Sequence, residues 1–498
     1  MSSSAGSFPA AAPVRYGTRT GSWVLLATVG GSAIAFLDST VVNVALPALA
    51  RDLRADVAGL QWVLNGYMLA LASLILLAGS LGDRYGRRLI FVVGVGWFAL
   101  ASLLCAIAQT TGQLVAARVL QGMGGALLTP GSLAIIEGSF RPEDRGRAIG
   151  AWSGLGSAAA AIGPFLGGYL VDAVNWRMIF LINLPIAVGV IAVAVKHVPE
   201  SKDPLAVAEL DFAGAGTGAV GLAGLTYSLI AAGEQGFDAV VVSAGTIGVV
   251  VLVLFVLVER RSDHPMLPLD IFRSSQFTWT NVVTFAVYGG LGTVFFLLVV
   301  QLQVSLGYSA LEAGIAGLPV TGLMLILSAR AGELSQRIGP RLPMTVGPLV
   351  AAAGIALLAR VVEGATYLSA VLPAVTLFGV GIGITVAPLT TTVLAAADDR
   401  HSGVASGVNN AVARTAQLLA VATIPAAVGL VGDAYNDPEV FTEGFRVAVL
   451  IAATAVGLGG AIAWFTIDPE LHGGKVAEPS GQRAAHCDLH APPLRSRR

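Results

Sequence analysis

The 498-residue sequence predicts an all-α integral membrane protein of fourteen transmembrane helices, arranged as two six-helix halves plus two inserted helices. Hydrophobic residues make up 55% of the chain and charged residues only 12%. A soluble domain carries about 25% charged residues, so this chain cannot cover itself with a polar surface. Apolar runs of about 20 residues, enough to cross a bilayer as a helix, follow one another along the chain, and a loop motif recurs in its second half.

The apolar runs define the predicted domains. The N-terminal segment 1–21 and the tail 467–498 are polar, and we expect both to be cytoplasmic and the tail to be disordered. Residues 22–196 form the N-terminal half, 197–276 a linker with the two inserted helices, and 277–466 the C-terminal half. The predicted spans are 22–47, 60–81, 89–108, 112–136, 147–171, 177–196, 211–232, 239–258, 279–304, 311–330, 343–362, 367–393, 403–430 and 445–466.

The distribution of basic residues predicts the orientation of the spans. If the N-terminus is cytoplasmic, 22 of the 29 lysines and arginines fall on the cytoplasmic side, five on the opposite side and two within helices. Cytoplasmic loops of membrane proteins carry this excess. An even number of helices then places both termini in the cytoplasm, with the loop at 79–88 inside and the loop at 431–444 outside.

An internal repeat predicts two equivalent halves. The charged loop motif at 79–88 returns in weakened form at 332–341, and the Gly-x-Gly pattern at 122–124 returns at 379–381. Spans one to six therefore match spans nine to fourteen, and spans seven and eight are an insertion. Two six-helix halves with a substrate site between them are typical of transporters.

Four motifs at the expected helices give the chain a family resemblance over roughly residues 20–466. They are the helix-one signature at 37–47, the loop at 79–88, the helix-four motif at 118–122 and the helix-five motif at 163–168. Together they resemble the major facilitator superfamily, specifically its fourteen-helix drug–proton antiporter branch. The resemblance implies a major facilitator fold in a bacterial inner membrane. It implies export of drugs, antibiotics or other toxic small molecules by alternating access, driven by inward proton flow.

Asp38 is the one acid well inside a predicted span. A charged side chain at that depth costs about 2.5–3.5 kcal/mol on insertion scales, so it requires a role. It either carries protons or, permanently neutral, makes a hydrogen bond between helices. Arg118 is the natural counter-ion, because Asp38 lies nine residues before Pro47 and Arg118 six residues after Gly112, at comparable depths. Alternatively, Arg118 is structural and bonds helix carbonyls.

The loop at 79–88 is interpreted as a conformational latch. Topology explains its arginines, but not the acid among them. We expect Asp83 to cap a neighbouring helix N-terminus, where the helix dipole favours an anion, and to be held by Arg87, with Glu137 extending the network. Gln336 replaces Asp83 in the second copy, so that latch is expected to be weaker or absent. The predicted latch residues are Gly79, Asp83, Arg84, Gly86, Arg87, Arg88 and Glu137.

The antiporter motif of helix five consists of Gly163, Pro164, Gly167 and Gly168. Small residues allow close helix packing, but a proline in mid-membrane favours a kink that bends or seals against the opposite half. Asn410 and Arg414, with Gln417, share one face of the thirteenth span by their spacing, and they either line the substrate cavity or join helices. Asn43 and Gln121 are further candidates for the cavity lining.

Several classes of function are not supported by the sequence. A net charge of −1 argues against a nucleic-acid partner. No P-loop accompanies the spans, no histidine lies within one, and a tail pattern at 486–490 is weak as a metal site, so we predict no enzyme, cofactor or metal. The tenth span lacks an embedded acid, which disfavours divalent cationic drugs. The expected partners are a small-molecule substrate, protons and the lipid bilayer, and we expect a monomer. Export of a self-made metabolite remains an alternative, as does a non-transporting sensor, although no soluble output domain is visible.

Overall fold

The computed structural model describes residues 14–202, 211–262, 265–396, 402–432, 434 and 437–470. Within these residues, thirteen helices are long and apolar enough to cross a membrane. One further long helix, Ser402–Ala427, brings the total to fourteen, and it lies where the sequence predicted the span 403–430. The prediction of an all-α membrane protein with fourteen long helices is therefore confirmed. The predicted tail beyond residue 470, with its 486–490 pattern, lies outside the described residues.

The N-terminal half contains six helices. Thr18 caps the N-terminus of the first helix, which continues through Pro47 to residue 53. A turn at Ile182 interrupts the sixth. The helices are α1 (Arg19–Leu53), α2 (Val57–Tyr85), α3 (Arg87–Ile107), α4 (Thr111–Ser139), α5 (Pro142–Ala173) and α6 (Met178–His197).

The inserted hairpin and the C-terminal half complete the bundle. The hairpin is α7 (Phe212–Gln235) and α8 (Ala239–Arg261), and a short 3-10 helix, Leu269–Arg273, leads from it to α9. The last helix begins at Pro438, seven residues before the predicted span, because Asp437 caps it and proline suits a first turn. The remaining helices are α9 (Ser275–Val304), α10 (Ala310–Ile338), α11 (Arg341–Arg360), α12 (Tyr367–Ala395), α13 (Ser402–Ala427) and α14 (Pro438–Thr466).

The repeated loop motif has the same backbone feature in both halves. Gly86 ends α2 with φ of 125°, and Gly339 ends α10 with φ of 83°. A residue with a side chain is strained in this region of φ, whereas glycine is not. The two glycines therefore allow the sharp turns that reverse the chain at the same face of the bundle.

The halves are joined at the face opposite the described chain ends. There the Gln61 amide donates to the Val421 carbonyl at 2.7 Å, and the Gln303 amide donates to the Val44 carbonyl at 2.9 Å. Asp172 at the end of α5 accepts from the backbone N–H of Leu311 at 2.8 Å. This face is therefore closed, and the central cavity lies deeper, toward the ends of α12 and the start of α13.

The inserted hairpin packs against the seam between the halves. Ile230 of α7 forms a buried cluster with Ala58 of α2 and Ala422 of α13. The Cα of Gly233 approaches α13 so closely that a Cβ there would lie 2.6 Å from the Cβ of Ala426. The hairpin therefore contacts both halves near the closed face.

Candidate functional site

A buried ion pair joins α1 and α4 in the membrane interior. Asp38 is 0% exposed and Arg118 is 1% exposed. Nη1 of Arg118 donates to Oδ2 of Asp38 at 2.5 Å. The depth argument from sequence predicted this juxtaposition of the two side chains. Breaking such a pair by removing one partner leaves an uncompensated buried charge, which costs about 3–5 kcal/mol.

Gln121 and Asn183 complete the coordination of the Asp38 carboxylate. Nε2 of Gln121 donates to Oδ1 of Asp38 at 2.7 Å and to Oγ of Ser102 at 2.8 Å, while its Oε1 accepts from Arg118 at 2.6 Å. The Asn183 amide donates to the same Oδ1 at 3.3 Å. Gln121, a candidate for the cavity lining from the sequence, is fully buried within this network. Its spacing of three residues from Arg118 places both on one face of α4.

Arg118 also has structural contacts of the kind that the sequence left open. Its Nε donates to the Val63 carbonyl of α2 at 3.1 Å. Its guanidinium carbon lies 4.4 Å from the centre of the Tyr67 ring, close enough for a cation–π contact. If Asp38 lost its charge, Arg118 would therefore keep partners on α2 and would not be stranded.

A cavity of about 270 Å³ lies between the halves. Phe36, two residues before Asp38, contributes one wall, and Tyr288 of α9 contributes another. Asn410 and Arg414 of α13 line it, as one of the two predicted alternatives had it. The full lining is Phe36, Tyr288, Thr390, Val393, Leu394, Ser406, Asn409, Asn410, Ala413 and Arg414.

Arg414 is the charged side chain of the cavity wall. Its one side-chain hydrogen bond to a described residue goes from Nη1 to Oε1 of Gln417 at 3.5 Å. Within the described residues, no carboxylate oxygen lies within 4.0 Å of its guanidinium. Its charge reaches Tyr288 and also Tyr67, whose ring covers Arg118. Tyr67 therefore contacts the buried ion pair and is within electrostatic reach of the cavity cation. Asn43, also a predicted lining residue, donates to the Ser39 carbonyl of its own helix at 3.1 Å.

The loop motif forms a compact charged cluster at the face that carries the chain ends. Nε of Arg87 donates to Oδ1 of Asp83 at 2.8 Å, and Nη1 of Arg87 donates to the Ala134 carbonyl of α4 at 3.2 Å. Arg84 lies over the ring of Tyr85. Glu137 is within electrostatic reach of Arg87 and Asp83. The cluster therefore links α2, α3 and α4, while the cap by Asp83 on a further helix stays a prediction.

Glu200 is the anion at the N-terminus of α3. It accepts from the backbone N–H of Arg88 at 3.0 Å and from that of Leu89 at 3.2 Å. The Arg88 side chain lies 3.6 Å from the same carboxylate. The sequence argument missed Glu200, because the residue follows α6 and nothing in its spacing relates it to the loop at 79–88.

The helix-five motif lies where α5 meets α1 and α10. A Cβ at Gly167 would lie 3.0 Å from Cα of Val41, and one at Gly168 would lie 2.5 Å from the Ala310 carbonyl oxygen. Gly163 faces Thr40 in the same way, and Gly314 of α10 faces the Pro164 carbonyl. The motif therefore brings the backbones of the two halves together, and Asp172 caps α10 one turn further on.

The described residues offer no metal centre, since they contain no group of three or more His, Cys, Asp and Glu side chains placed to hold an ion.

The residues that sequence reasoning missed are Ser102, Asn183, Tyr67, Glu200 and Asp172. Asn183 had a usable signal, as an amide side chain within an apolar span. A tyrosine such as Tyr67 is common in membrane helices, so it carried no such signal.

Comparisons with known proteins agree with this architecture. The sequence profile of the Major Facilitator Superfamily matches residues 28–421. The puromycin resistance protein pur8 of Streptomyces alboniger is 34% identical, over 90% of this chain and 91% of that protein. The methylenomycin A resistance protein of Bacillus subtilis is 33% identical, over 92% and 96%. A bacterial homologue of the human lysosomal transporter Spinster, solved in an inward-facing and unoccupied conformation, superimposes with a TM-score of 0.60 at 18% identity, covering 90% of this chain and 97% of that chain.

Proposed function

The chain belongs to the Major Facilitator Superfamily and is related to its antibiotic-resistance efflux transporters, and from this premise we propose that it exchanges protons for its exported substrate. It is a multi-pass transporter rather than an enzyme. Both curated relatives are named for resistance to an antibiotic. The proposed physiological role is therefore efflux of antibiotics or similar toxic small molecules from a bacterial cell.

The buried pair of Asp38 and Arg118 is the observation that carries the proposal of proton coupling. Asp38 is fully buried, and its carboxylate is held by one cation and two amides. A proton on Asp38 removes the charge that holds Arg118, which keeps its bonds to Val63 and its contact with Tyr67. Protonation thus loosens α1 from α4 without leaving Arg118 unpaired. That is the behaviour required of a proton site that controls a conformational change.

The arrangement of the halves supports an inward-facing state for this conformation. Contacts between the halves at Gln61 and Asp172 close one face. The positive-inside rule assigns that face to the outside and both termini to the cytoplasm. Reporter fusions after residues 85 and 436 are expected to report opposite sides of the membrane. Fusions that report the same side would overturn the assignment.

The cavity supports a substrate with an anionic or electron-rich group. Arg414 lies halfway along α13, and in the described chain no carboxylate pairs with it. An unpaired cation at this depth is costly and typically marks a substrate pathway. Phe36 and Tyr288 offer aromatic surface, and Asn410 offers a hydrogen-bonding amide. We infer that the guanidinium receives a carboxylate, phenolate or carbonyl oxygen of the exported compound.

The experiment compares Asp38→Asn with wild type in energised everted vesicles. A susceptibility panel in an efflux-deficient host, including puromycin and methylenomycin A, first identifies an exported compound. Addition of that compound to wild-type vesicles is expected to release protons from the lumen, and Asp38→Asn is expected to abolish this release and uphill transport. Glu363→Gln, which removes an exposed carboxylate in the connection between α11 and α12, is the matched control. Undiminished proton-coupled transport by Asp38→Asn would contradict the proposal.

A further inference from the structure

Two carboxyl groups meet at the base of the inserted hairpin, far from the ion pair of α1 and α4. Glu259, near the end of α8, is only 3% exposed. Its Oε2 accepts from the backbone N–H of Leu267 at 2.9 Å. Asp211 is the N-cap of α7, and its Oδ1 accepts from the backbone N–H of Gly214 at 2.6 Å. One oxygen of each carboxyl group is therefore satisfied by the backbone.

Within the part of the chain that the structure describes, the second oxygen of each group has no hydrogen-bond partner. Oε1 of Glu259 and Oδ2 of Asp211 are both buried, and neither receives a donor. Both lie against the Cα of Gly214, where a Cβ would collide with Oε1 of Glu259 and would lie 2.7 Å from Oδ2 of Asp211. The side chain of Glu259 is also within hydrogen-bonding and electrostatic reach of Asp211. Two buried acceptors thus face each other, and no described residue places a donor between them.

From this geometry we propose that Asp211 and Glu259 bind one proton between them and form a second proton-binding site. Two adjacent buried carboxylates cannot both be ionised without a large electrostatic cost. One shared proton turns the two orphaned oxygens into a charge-assisted hydrogen bond. A metal ion would need more ligands than the described residues around the pair provide. Among the described residues, the charged group that acts on Glu259 is Asp211, whereas Arg260 and Arg261 are exposed at the end of α8.

The shared proton fastens both ends of the hairpin at the points where it joins the two halves. Asp211 begins α7, after the connection from the N-terminal half. Glu259 holds the backbone at Leu267, in the connection to the C-terminal half. Loss of the proton leaves two like charges in contact, so the base of the hairpin opens. This site lies at the face that carries the chain ends, which is cytoplasmic only if the proposed orientation holds.

The sign of the pH dependence follows from the proton count. Exposed aspartate and glutamate lose their protons near pH 4, so the unfolded pair is ionised above about pH 5. The folded pair retains one proton. The shared proton therefore stabilises the folded state at low pH, and this stabilisation is lost as the pH rises. While the folded state binds one proton more than the unfolded state, the unfolding equilibrium constant rises about tenfold per pH unit.

Thermal unfolding of the purified protein in detergent from pH 5 to pH 9 tests the site without any transport assay. The melting temperature of the wild type is expected to fall as the pH rises. Glu259→Gln is expected to flatten this slope, because its amide donates to Asp211 at every pH. Asp211→Asn tests the same point from the other side if Glu259→Gln does not fold. Glu363→Gln is the control and is expected to retain the wild-type slope.

Two results would overturn the proposal. One is an identical pH slope in the wild type, Glu259→Gln and Asp211→Asn. The other is a wild-type stability that is independent of pH but grows with added NaCl or KCl, since that would assign the site to a monovalent cation. Neither result bears on the role of Asp38, because neither measurement involves transport.

Discussion

Removal of the Asp172 carboxylate is expected to shift the transporter away from the conformation described here. Asp172, at the end of α5, accepts from the backbone N–H groups of Ala310 and Leu311 at 3.3 and 2.8 Å. Those groups open α10, so an acid of the N-terminal half caps a helix of the C-terminal half. Because the contact crosses between the halves, Asp172→Asn weakens the closed face without touching the cavity.

The magnitude follows from helix capping. A side-chain cap contributes about 0.5–2 kcal/mol, and an anion at a helix N-terminus about 0.3–1 kcal/mol. Asparagine retains one acceptor oxygen but loses the charge, and Asp172 is exposed to screening. We therefore expect a loss of about 0.5–1 kcal/mol, equivalent to a two- to fivefold change in the equilibrium between the closed and open states of this face.

Spin-label distance measurements across this face report the change. Val174 and Leu368 are 60% and 73% exposed and belong to opposite halves, so cysteines there accept labels. Cys487 is replaced by serine, and Cys105 is kept because it is fully buried. Asp172→Asn is expected to raise the ratio of long to short distances two- to fivefold.

The control for this measurement is Glu363→Gln, which removes an exposed acid near the same face. It is expected to leave the distance distribution unchanged. A distribution for Asp172→Asn that matches the wild type, at equal thermal stability, would refute the idea that this cap holds the face closed.

Three further substitutions test other parts of the molecule. Asp83→Asn is expected to express normally but transport poorly, whereas Gln336→Asp is expected to reduce transport far less. Transport rates measured at matched protein levels check both expectations. Gly168→Ala places a methyl group 2.5 Å from the Ala310 carbonyl and is expected to impair transport, whereas Gly150→Ala, with no atom within 4 Å of its Cβ, is expected to be silent. Arg414→Gln is expected to reduce export of a carboxylic acid substrate by at least about tenfold relative to its neutral amide, which corresponds to about 1.4 kcal/mol; equal losses for both compounds would contradict anion recognition.

The fold was largely predictable because membrane helices must satisfy their backbone internally over a fixed thickness. Apolar length and the recurrence of the motif at 79–88 were therefore sufficient for the helix count. The ends of the helices were less predictable. The predicted start at 445 misses the first turns of α14, because Asp437 and Pro438 set that boundary through capping rather than through hydropathy.

The ion pair was predictable and its surroundings were not. Asp38 and Arg118 are charges in apolar spans at matching depths, which is a strong signal. Gln121 was only a candidate for the cavity lining, because an amide in a membrane helix suits either a water-filled or a bonded position. The structure places it against Asp38. Glu259 was not predicted as a site residue, because an acid at the end of a span is usually an exposed surface charge. Its burial follows from packing against Asp211 and Leu267, which the sequence does not indicate.

The position of α7 on the seam has a consequence for inhibition. Its Ile230 is packed with Ala58 of one half and Ala422 of the other. When the halves separate at this face, α7 cannot follow both of them, so it must lose contact with at least one. A compound that enters from the lipid on the closed side of the bundle, where α7, α2 and α13 converge, would bind only the closed arrangement. Such a compound would arrest the pump noncompetitively, and mutations that alter the substrate cavity would give no resistance to it.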